Sequence, residues 1–324
     1  MYDKMEKNNL VQMKTMEDRK TYDIAIVGSG PAGFTASIYA SRYRLSNIVF
    51  GKMIGGTISE AHKVCNYPGF PDISGFELGM KFHEHAKMLG GETSNESITD
   101  IVKEGGVFKL VADSGITYLA RTVVIATGTV RNKLGLANED YYLGKGLSYC
   151  ATCDAMFYKD KVVGIVGGSN AATMAAVLLA DIAKKVYIIY RGTELRGEAV
   201  WIEQVKANSN IECIFTTVLT GLEGKDRLEK VKLSRPYKDS EYLNVDGLFI
   251  EIGSEPNKSL PVKLGVKLDE QGYVEVKQDQ STSIEGIWAA GDGTTGSNKF
   301  RQVVTSASEG SIAANSILEY LKNI

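Results

Sequence analysis

At 324 residues the chain is long enough for two cored domains, and a formal net charge of −2 gives it no pull toward nucleic acid or an anionic membrane. No apolar stretch approaches the roughly 20 residues that span a bilayer, and 34 glycines against 6 prolines suit many tight turns between strands and helices. Residues 1–20 are polar and of mixed charge, without the apolar centre of a secretion signal, so they read as a loose or weakly helical extension of a cytoplasmic protein.

Residues 22–27 (YDIAIV) are predicted to form a buried parallel strand that feeds a helix over 31–44. Between them lies Gly28-Ser29-Gly30-Pro31-Ala32-Gly33, and that strand–glycine turn–helix context is what raises G-x-G-x-x-G above chance. Gly28 allows the turn, Gly30 lets the backbone approach a pyrophosphate, and Gly33 allows close packing of helix on strand. The helix N-terminus then presents amides and partial positive charge to the phosphates. No acid follows the second strand, since Asn47-Ile48-Val49-Phe50 runs into Gly51-Lys52, so ribose recognition must be arranged otherwise or be weaker.

A helix is expected over 75–91 (GFELGMKFHEHAKMLGG), with His83 and His85 two apart on different faces as ordinary surface histidines. Residues 121–127 (RTVVIAT) form another apolar strand, ending at Gly128. The pattern then starts again: a strand over 161–166, a second glycine loop at Gly167-Gly168-Ser169-Asn170-Ala171-Ala172, a helix over 173–181 and a strand over 186–190. The 248–253 segment (LFIEIG) reads as a strand returning to the first domain, 282–292 (TSIEGIWAAGD) as a strand ending in an acidic turn, and 301–322 as a closing helix. The fold class is therefore α/β, with two Rossmann-like dinucleotide-binding domains, the second inserted into the first. The expected first domain spans 21–130 and 248–324, the inserted one 131–247, with crossings near Val130 and Gly247.

The cysteines are Cys65, Cys150, Cys153 and Cys213, too few for a secreted disulfide scaffold. A close C-x-x-C means redox chemistry or a metal; a metal would need a second pair of soft ligands at similar spacing, and none exists, so no metal site is expected. Disulfide exchange runs through thiolate attack and a mixed disulfide, so a resolving cysteine three residues away lies within reach. Asp154, next to Cys153, can supply protons that a water-poor pocket does not. Cys65 reads as a small buried side chain and Cys213 as a structural residue on a strand. Tyr141, Tyr142 and Tyr149 read as packing or surface residues rather than catalytic ones.

Together these residues resemble the low-molecular-weight thioredoxin reductases, within the two-dinucleotide-domain pyridine nucleotide-disulfide oxidoreductases. The match runs from residue 22 to the C terminus: GSGPAG at 28–33, Gly55-Gly56, Asn66-Tyr67-Pro68-Gly69, ATG at 126–128, GKG at 144–146, CATCD at 150–154, AAGD at 289–292 and Arg301-Gln302. The resemblance implies FAD on the first domain, with Gly28, Gly30, Pro31, Ala32 and Gly33 at its pyrophosphate. Gly56, Asn66, Ala126, Thr127, Gly128, Asp292, Arg301 and Gln302 would lie around it, Asp292 toward the ribityl and phosphate end. Gln302 would set its amide and the helix dipole near the pyrimidine end of the flavin.

It further implies that Cys153 is the flavin-proximal thiol, that Cys150 attacks a partner disulfide, and that Asp154 is the proton donor. NADPH would bind the second domain at Gly167, Ser169, Asn170 and Ala171, with Arg191 and Arg196 at the 2′-phosphate. Thioredoxin or a thioredoxin-like protein is the implied partner, the protein is implied to be a homodimer, and the inserted domain is implied to swing about its crossings.

The sequence departs from that pattern in the second domain. Ser169 stands for a usual glycine, Tyr190 for a histidine, and two adjacent arginines appear as Arg191-Gly192. Losing one arginine weakens a phosphate contact by about 1.5–3 kcal/mol. Ala155 and Thr57 also replace the residues usual near the dithiol and flavin, and Cys65 a frequent acid. Three alternatives follow: the same reductase with ferredoxin or another carrier as donor, a dithiol oxidase passing electrons to oxygen, and a flavin-bearing binding or sensor protein. Intact Cys150, Cys153 and Asp154 speak against the last.

Overall fold

The structure is a computed structural model that describes residues 20–324, so the expected 1–20 extension, apart from Lys20, lies outside the described residues. It divides into two compact units, one built from residues 20–59, Cys65–Gly128 and Pro256–Ile324, the other from Glu60–Val64 and Thr129–Glu255.

In the first unit the parallel strands run in the order Glu92–Ser94, Asn47–Phe50, Thr21–Val27, Thr117–Ile125, and Ile287–Ala289 pairs beyond the C-terminal half of Thr117–Ile125. An antiparallel pair, Ile98–Glu104 and Val107–Ala112, extends the sheet from the other half of that strand. Ile24, Ala25 and Ile26 are fully buried, as a strand covered on both faces requires. The helix Pro31–Arg42 starts with Pro at its first turn, where the missing N–H costs nothing. It is buried around most of its circumference because the C-terminal helix Val303–Lys322 lies along it. Small residues permit that approach: a Cβ on Gly310 would stand 2.1 Å from the Ala32 carbonyl oxygen.

The second unit repeats the scheme with a five-stranded parallel sheet, in the order Ile211–Ile214, Lys185–Ile189, Val162–Val166, Gly247–Ile250, Leu147–Ser148. Helices Asn170–Ala180 and Ala199–Ala207 pack with it, and a three-stranded antiparallel meander, Leu219–Glu223, Lys230–Tyr237 and Ser240–Asn244, has its apolar residues in a separate core cluster. Its core is mostly aliphatic, with Val163, Ile165, Leu179 and Ile188 fully buried, around the rings of Tyr158, Tyr190 and Phe249.

Several sequence expectations shift. The segment over 248–253 does not return to the first unit. Gly247–Ile250 is a central strand of the second sheet, parallel to Val162–Val166, and the unit continues to Glu255. An apolar run reads alike in either sheet, so only its partner decides. The strand expected over 282–292 is confined to Ile287–Ala289, because Thr282 and Ile284 turn back through side-chain and backbone bonds. The helices start at Asn170 and Val303 rather than Thr173 and Arg301, with Ser169 and Gln302 as N-caps.

Candidate active site

The dithiol lies on a short helix, Ala151–Asp154, continued by a 3-10 turn, Ala155–Tyr158. Ala151, Ala155 and Tyr158 recur at helical spacing and are all buried in the core of the second unit. Tyr158 anchors the segment: its ring stacks edge-on against Phe249 at 5.2 Å and sits where any Cβ on Gly247 would lie, 2.2 Å from the ring. The Ala155 methyl, expected beside the active site, points instead into the core and is 2% exposed. The opposite face carries the chemistry. Cys150 and Cys153 are joined in a disulfide, with Cα atoms 5.3 Å apart.

Cys150 caps the short helix and is half-buried; Cys153 is exposed and Asp154 half-buried. The Cys153 amide donates to Cys150 Sγ at 3.1 Å, which sets a backbone donor against that sulfur. Ser148 fixes the preceding backbone by accepting from the Cys150 amide at 3.0 Å. Met156 and Phe157, immediately beyond, are 70% and 72% exposed.

In the first unit the predicted dinucleotide residues come together around the carboxyl ends of the strands. Gly28 has φ +126°, and a Cβ there would lie 2.0 Å from the Ala126 carbonyl oxygen, so the first glycine is seated on the ATG segment. A Cβ on Gly33 would meet the Gly28 carbonyl oxygen at 1.9 Å, which fixes the close helix–turn packing. Gly56 faces Gly30, and Gly293 faces Gly128, leaving a floor of bare backbone. Asp292 accepts from Ser306 Oγ at 2.8 Å; burial pushes its carboxyl up from the usual range, while Ser306 and the charge of Arg301 oppose that shift.

Asn66 Nδ2 donates to Gln302 Oε1 at 2.9 Å, joining two residues 236 positions apart at the head of the C-terminal helix. Arg301 lies over the Tyr273 ring and donates to its hydroxyl, while its Nε is buried without a hydrogen-bond partner. A glycine floor, a helix N-terminus and that unpartnered donor fit a phosphate-bearing flavin dinucleotide.

The second loop has the same build. Gly167, at φ +146°, is seated on Glu251, whose carbonyl oxygen a Cβ would approach to 2.2 Å. Ser169 is exposed and makes no side-chain capping bond. Asn170 is held from the far side, its Oδ1 accepting from the Glu198 amide at 2.5 Å and its Nδ2 donating to the Glu198 carboxylate at 3.2 Å. Arg191 stands exposed at the strand end, and the Arg196 amide donates to the Gly168 carbonyl oxygen at 2.7 Å.

Two minor expectations are corrected. Cys65 is exposed, not buried, because the 61–70 stretch is a chain of turns and bridges with little core of its own. His83 is not an ordinary surface residue: it is half-buried against Phe34, ring centres 5.3 Å apart, with Nδ1 unpartnered. Tyr142 packs as expected, its hydroxyl donating to the Gly224 carbonyl oxygen at 2.9 Å.

Two buried carboxylates near the sites have no counterpart among the sequence expectations. Glu309, buried on the C-terminal helix, accepts from the Gly291 amide at 2.7 Å and from Thr294 Oγ1 at 3.0 Å, and so holds the turn that presents Asp292. Glu251 is paired with Arg131 at 3.2 Å, and Arg131 also binds Glu60. Burial pushes Glu251 up to about 7, against the pull of Arg131. An acid inside an otherwise apolar strand (GLFIE) was the one signal for Glu251; for Glu309 there was none.

Two doubly wound units, each with a glycine loop between a buried parallel strand and the helix that follows it, and a cysteine pair on the second define a two-dinucleotide-domain disulfide oxidoreductase. The profile of the family described as pyridine nucleotide-disulphide oxidoreductase matches residues 22–310. A thioredoxin reductase of Mycoplasma genitalium is 38% identical over 296 residues, 91% of this chain and 93% of that protein. The crystal structure of T. acidophilum thioredoxin reductase superposes with a TM-score of 0.87 at 35% identity, covering 94% of this chain and 100% of that one. A ferredoxin-flavin thioredoxin reductase from Clostridium acetobutylicum is 35% identical, with a TM-score of 0.51 and coverage of 94% and 99%. The chain belongs to the pyridine nucleotide-disulphide oxidoreductase family and, within it, to the low-molecular-weight thioredoxin reductases. It is a flavin-dependent disulfide reductase whose family uses FAD and a pyridine nucleotide. No helix among the described residues is long and apolar enough to cross a membrane.

Proposed function

We propose that the chain is a cytoplasmic, homodimeric enzyme that uses NADPH to reduce thioredoxin or a thioredoxin-like protein through Cys150 and Cys153. The observation that carries this reading is the Cys150–Cys153 disulfide on a core-anchored turn, followed at once by Asp154 and by the exposed apolar pair Met156 and Phe157. An apolar surface beside the dithiol suits a protein substrate better than a small polar thiol.

FAD at the Gly28, Gly30, Gly33 and Asp292 site supplies the two-electron relay between nicotinamide and disulfide when bound. The chain's own residues do the exchange. Once the pair is reduced, the Cys150 thiolate attacks one sulfur of the partner disulfide, forming a mixed disulfide and expelling the other sulfur as a thiolate. Asp154 donates a proton to a leaving thiolate. Cys153 then attacks the Cys150 sulfur, which releases the reduced partner and re-forms Cys150–Cys153. In the pyridine nucleotide site, Gly167, Ser169, Asn170 and Ala171 would meet the pyrophosphate, with Arg191 and Arg196 toward the 2′-phosphate.

Anaerobic titration with NADPH, followed by flavin absorbance, tests the donor. Stoichiometric bleaching supports the proposal. Bleaching by dithionite but not NADPH would favour the second reading, a ferredoxin or other carrier donor, which Ser169, Gly192 and the likeness to the Clostridium acetobutylicum enzyme support. Thiol-dependent peroxide formation would indicate a dithiol oxidase instead. Cys150→Ser should abolish disulfide reduction while leaving flavin binding intact; surviving reduction would remove Cys150 from its role.

A further inference from the structure

The end of the Lys185–Ile189 strand is where a dinucleotide fold reads the ribose 2′ position, and an arginine near it accommodates a 2′-phosphate. Here that place is taken by Tyr190, 7% exposed, its backbone tied on both sides: its amide donates to Ile214 O at 2.9 Å, and its carbonyl accepts from Thr217 N at 3.1 Å. The ring lies over two glycines along one edge. A Cβ on Gly168 would stand 2.5 Å from Tyr190 Cδ1, and a Cβ on Gly192 would stand 2.5 Å from Cε1 and 2.8 Å from Cζ. Both glycines meet the Cδ1–Cε1 side of a ring that is itself buried in the core of the unit, so the ring has little room to move off that ground.

Gly192 does not have the left-handed φ that would demand glycine, so its backbone would accept any residue. Only the ring forbids one. Arg196 also leans on this ring, its guanidinium centre 5.7 Å from the centroid, while its own amide is held by the Gly168 carbonyl. The absent second arginine and the tyrosine are therefore one substitution in physical terms.

Resting on the pyridine nucleotide reading above, we propose that Tyr190 sets the dinucleotide preference of this enzyme. By filling the ground over Gly168 and Gly192 it bars an arginine from position 192, and leaves the 2′-phosphate to Arg191 and Arg196 alone. The preference for NADPH over NADH is lower for it by the worth of one charge-assisted contact, about ten- to a hundredfold.

The test is a four-protein cycle on the full-length enzyme: wild type, Tyr190→His, Gly192→Arg and the double variant. Titration calorimetry with 2′,5′-ADP and 5′-AMP reads the 2′-phosphate without any turnover. The double variant should raise the 2′,5′-ADP over 5′-AMP affinity ratio by about ten- to a hundredfold, and each single variant by less than about threefold. A Gly192→Arg single variant that gains as much as the double, or a double variant that gains nothing, overturns the inference.

Gly192→Ala guards against a Gly192→Arg chain that does not fold. Its melting temperature should drop in the Tyr190 background and recover with Tyr190→His; an equal drop in both backgrounds counts against the steric coupling. Failure of the pyridine nucleotide reading looks different, because neither probe would then bind any of the four proteins, and the inference falls with it.

Discussion

The exchange proposed above asks for a proton donor within reach of two sulfurs, and Asp154 lies on the same turn as both cysteines, with its amide bonded to the Cys150 carbonyl at 3.2 Å. Asp154→Asn keeps the size and removes the ionisable carboxyl. The expected outcome is a loss of about 10²–10⁴-fold in disulfide turnover, with flavin reduction by the nucleotide unchanged. Stopped-flow measurement of the two half-reactions checks this, and a slow reductive half-reaction would move Asp154 out of the exchange step.

Glu251 carries a different kind of consequence. Its folded pKa, about 7, lies above the ordinary 4.5. Below about pH 4.5 both folded and unfolded chains hold this proton; between about 4.5 and 7 only the folded chain does. The stabilisation is thus complete at the acid end and fades as pH rises through about 7, by up to about 3 kcal/mol at roughly 1.36 kcal/mol per unit. Denaturant unfolding between about pH 5 and 8 should show this fall in wild type and a flatter profile in Glu251→Gln. Parallel profiles would mean the group is already ionised at pH 5.

Among the elements, the C-terminal helix does most to assemble the first site. Gln302 at its N-cap meets Asn66, Ser306 holds Asp292, and Glu309 holds the turn before it. All three depend on the helix lying tight against Pro31–Arg42, which Gly310 allows. Gly310→Val forces backbone against side chain and should destabilise by about 1–3 kcal/mol, or more where the helices cannot part. It should also loosen flavin retention, because the helix carries three site residues outward together. Flavin content after gel filtration, compared with Ile312→Val on the same helix as a control, measures that link.

The whole molecule is two repeats of one scheme, and the second has its own parallel sheet, meander and mostly aliphatic cores. The ends of that unit meet in a two-stranded ribbon, Thr129–Arg131 with Ser254–Pro256. A fragment of residues 129–255 should therefore fold alone, with a cooperative melt and an intact Cys150–Cys153 disulfide. The remainder, with 129–255 replaced by a short Gly-Ser linker, should still bind FAD. A fragment without a cooperative transition would show that Glu60–Val64, the one stretch it lacks from its unit, is needed for its core.

Much of this was open to the sequence. Local covalent and packing rules fix a glycine loop between a buried strand and a helix, and a C-x-x-C needs nothing beyond its own turn to close. The two loops, the dithiol and the acidic turn at Asp292 were accordingly legible from residues alone. Tertiary structure decided what depends on a neighbour distant in the chain. The 247–250 strand has the same apolar pattern for either sheet, and its register with Val162–Val166 assigns it. Glu309 and Glu251 look like surface charges until the groups they hold come to meet them. Gly192 reads as a lost arginine in the sequence and as a consequence of Tyr190 in space, since excluded volume between residues two apart depends on where the ring is held.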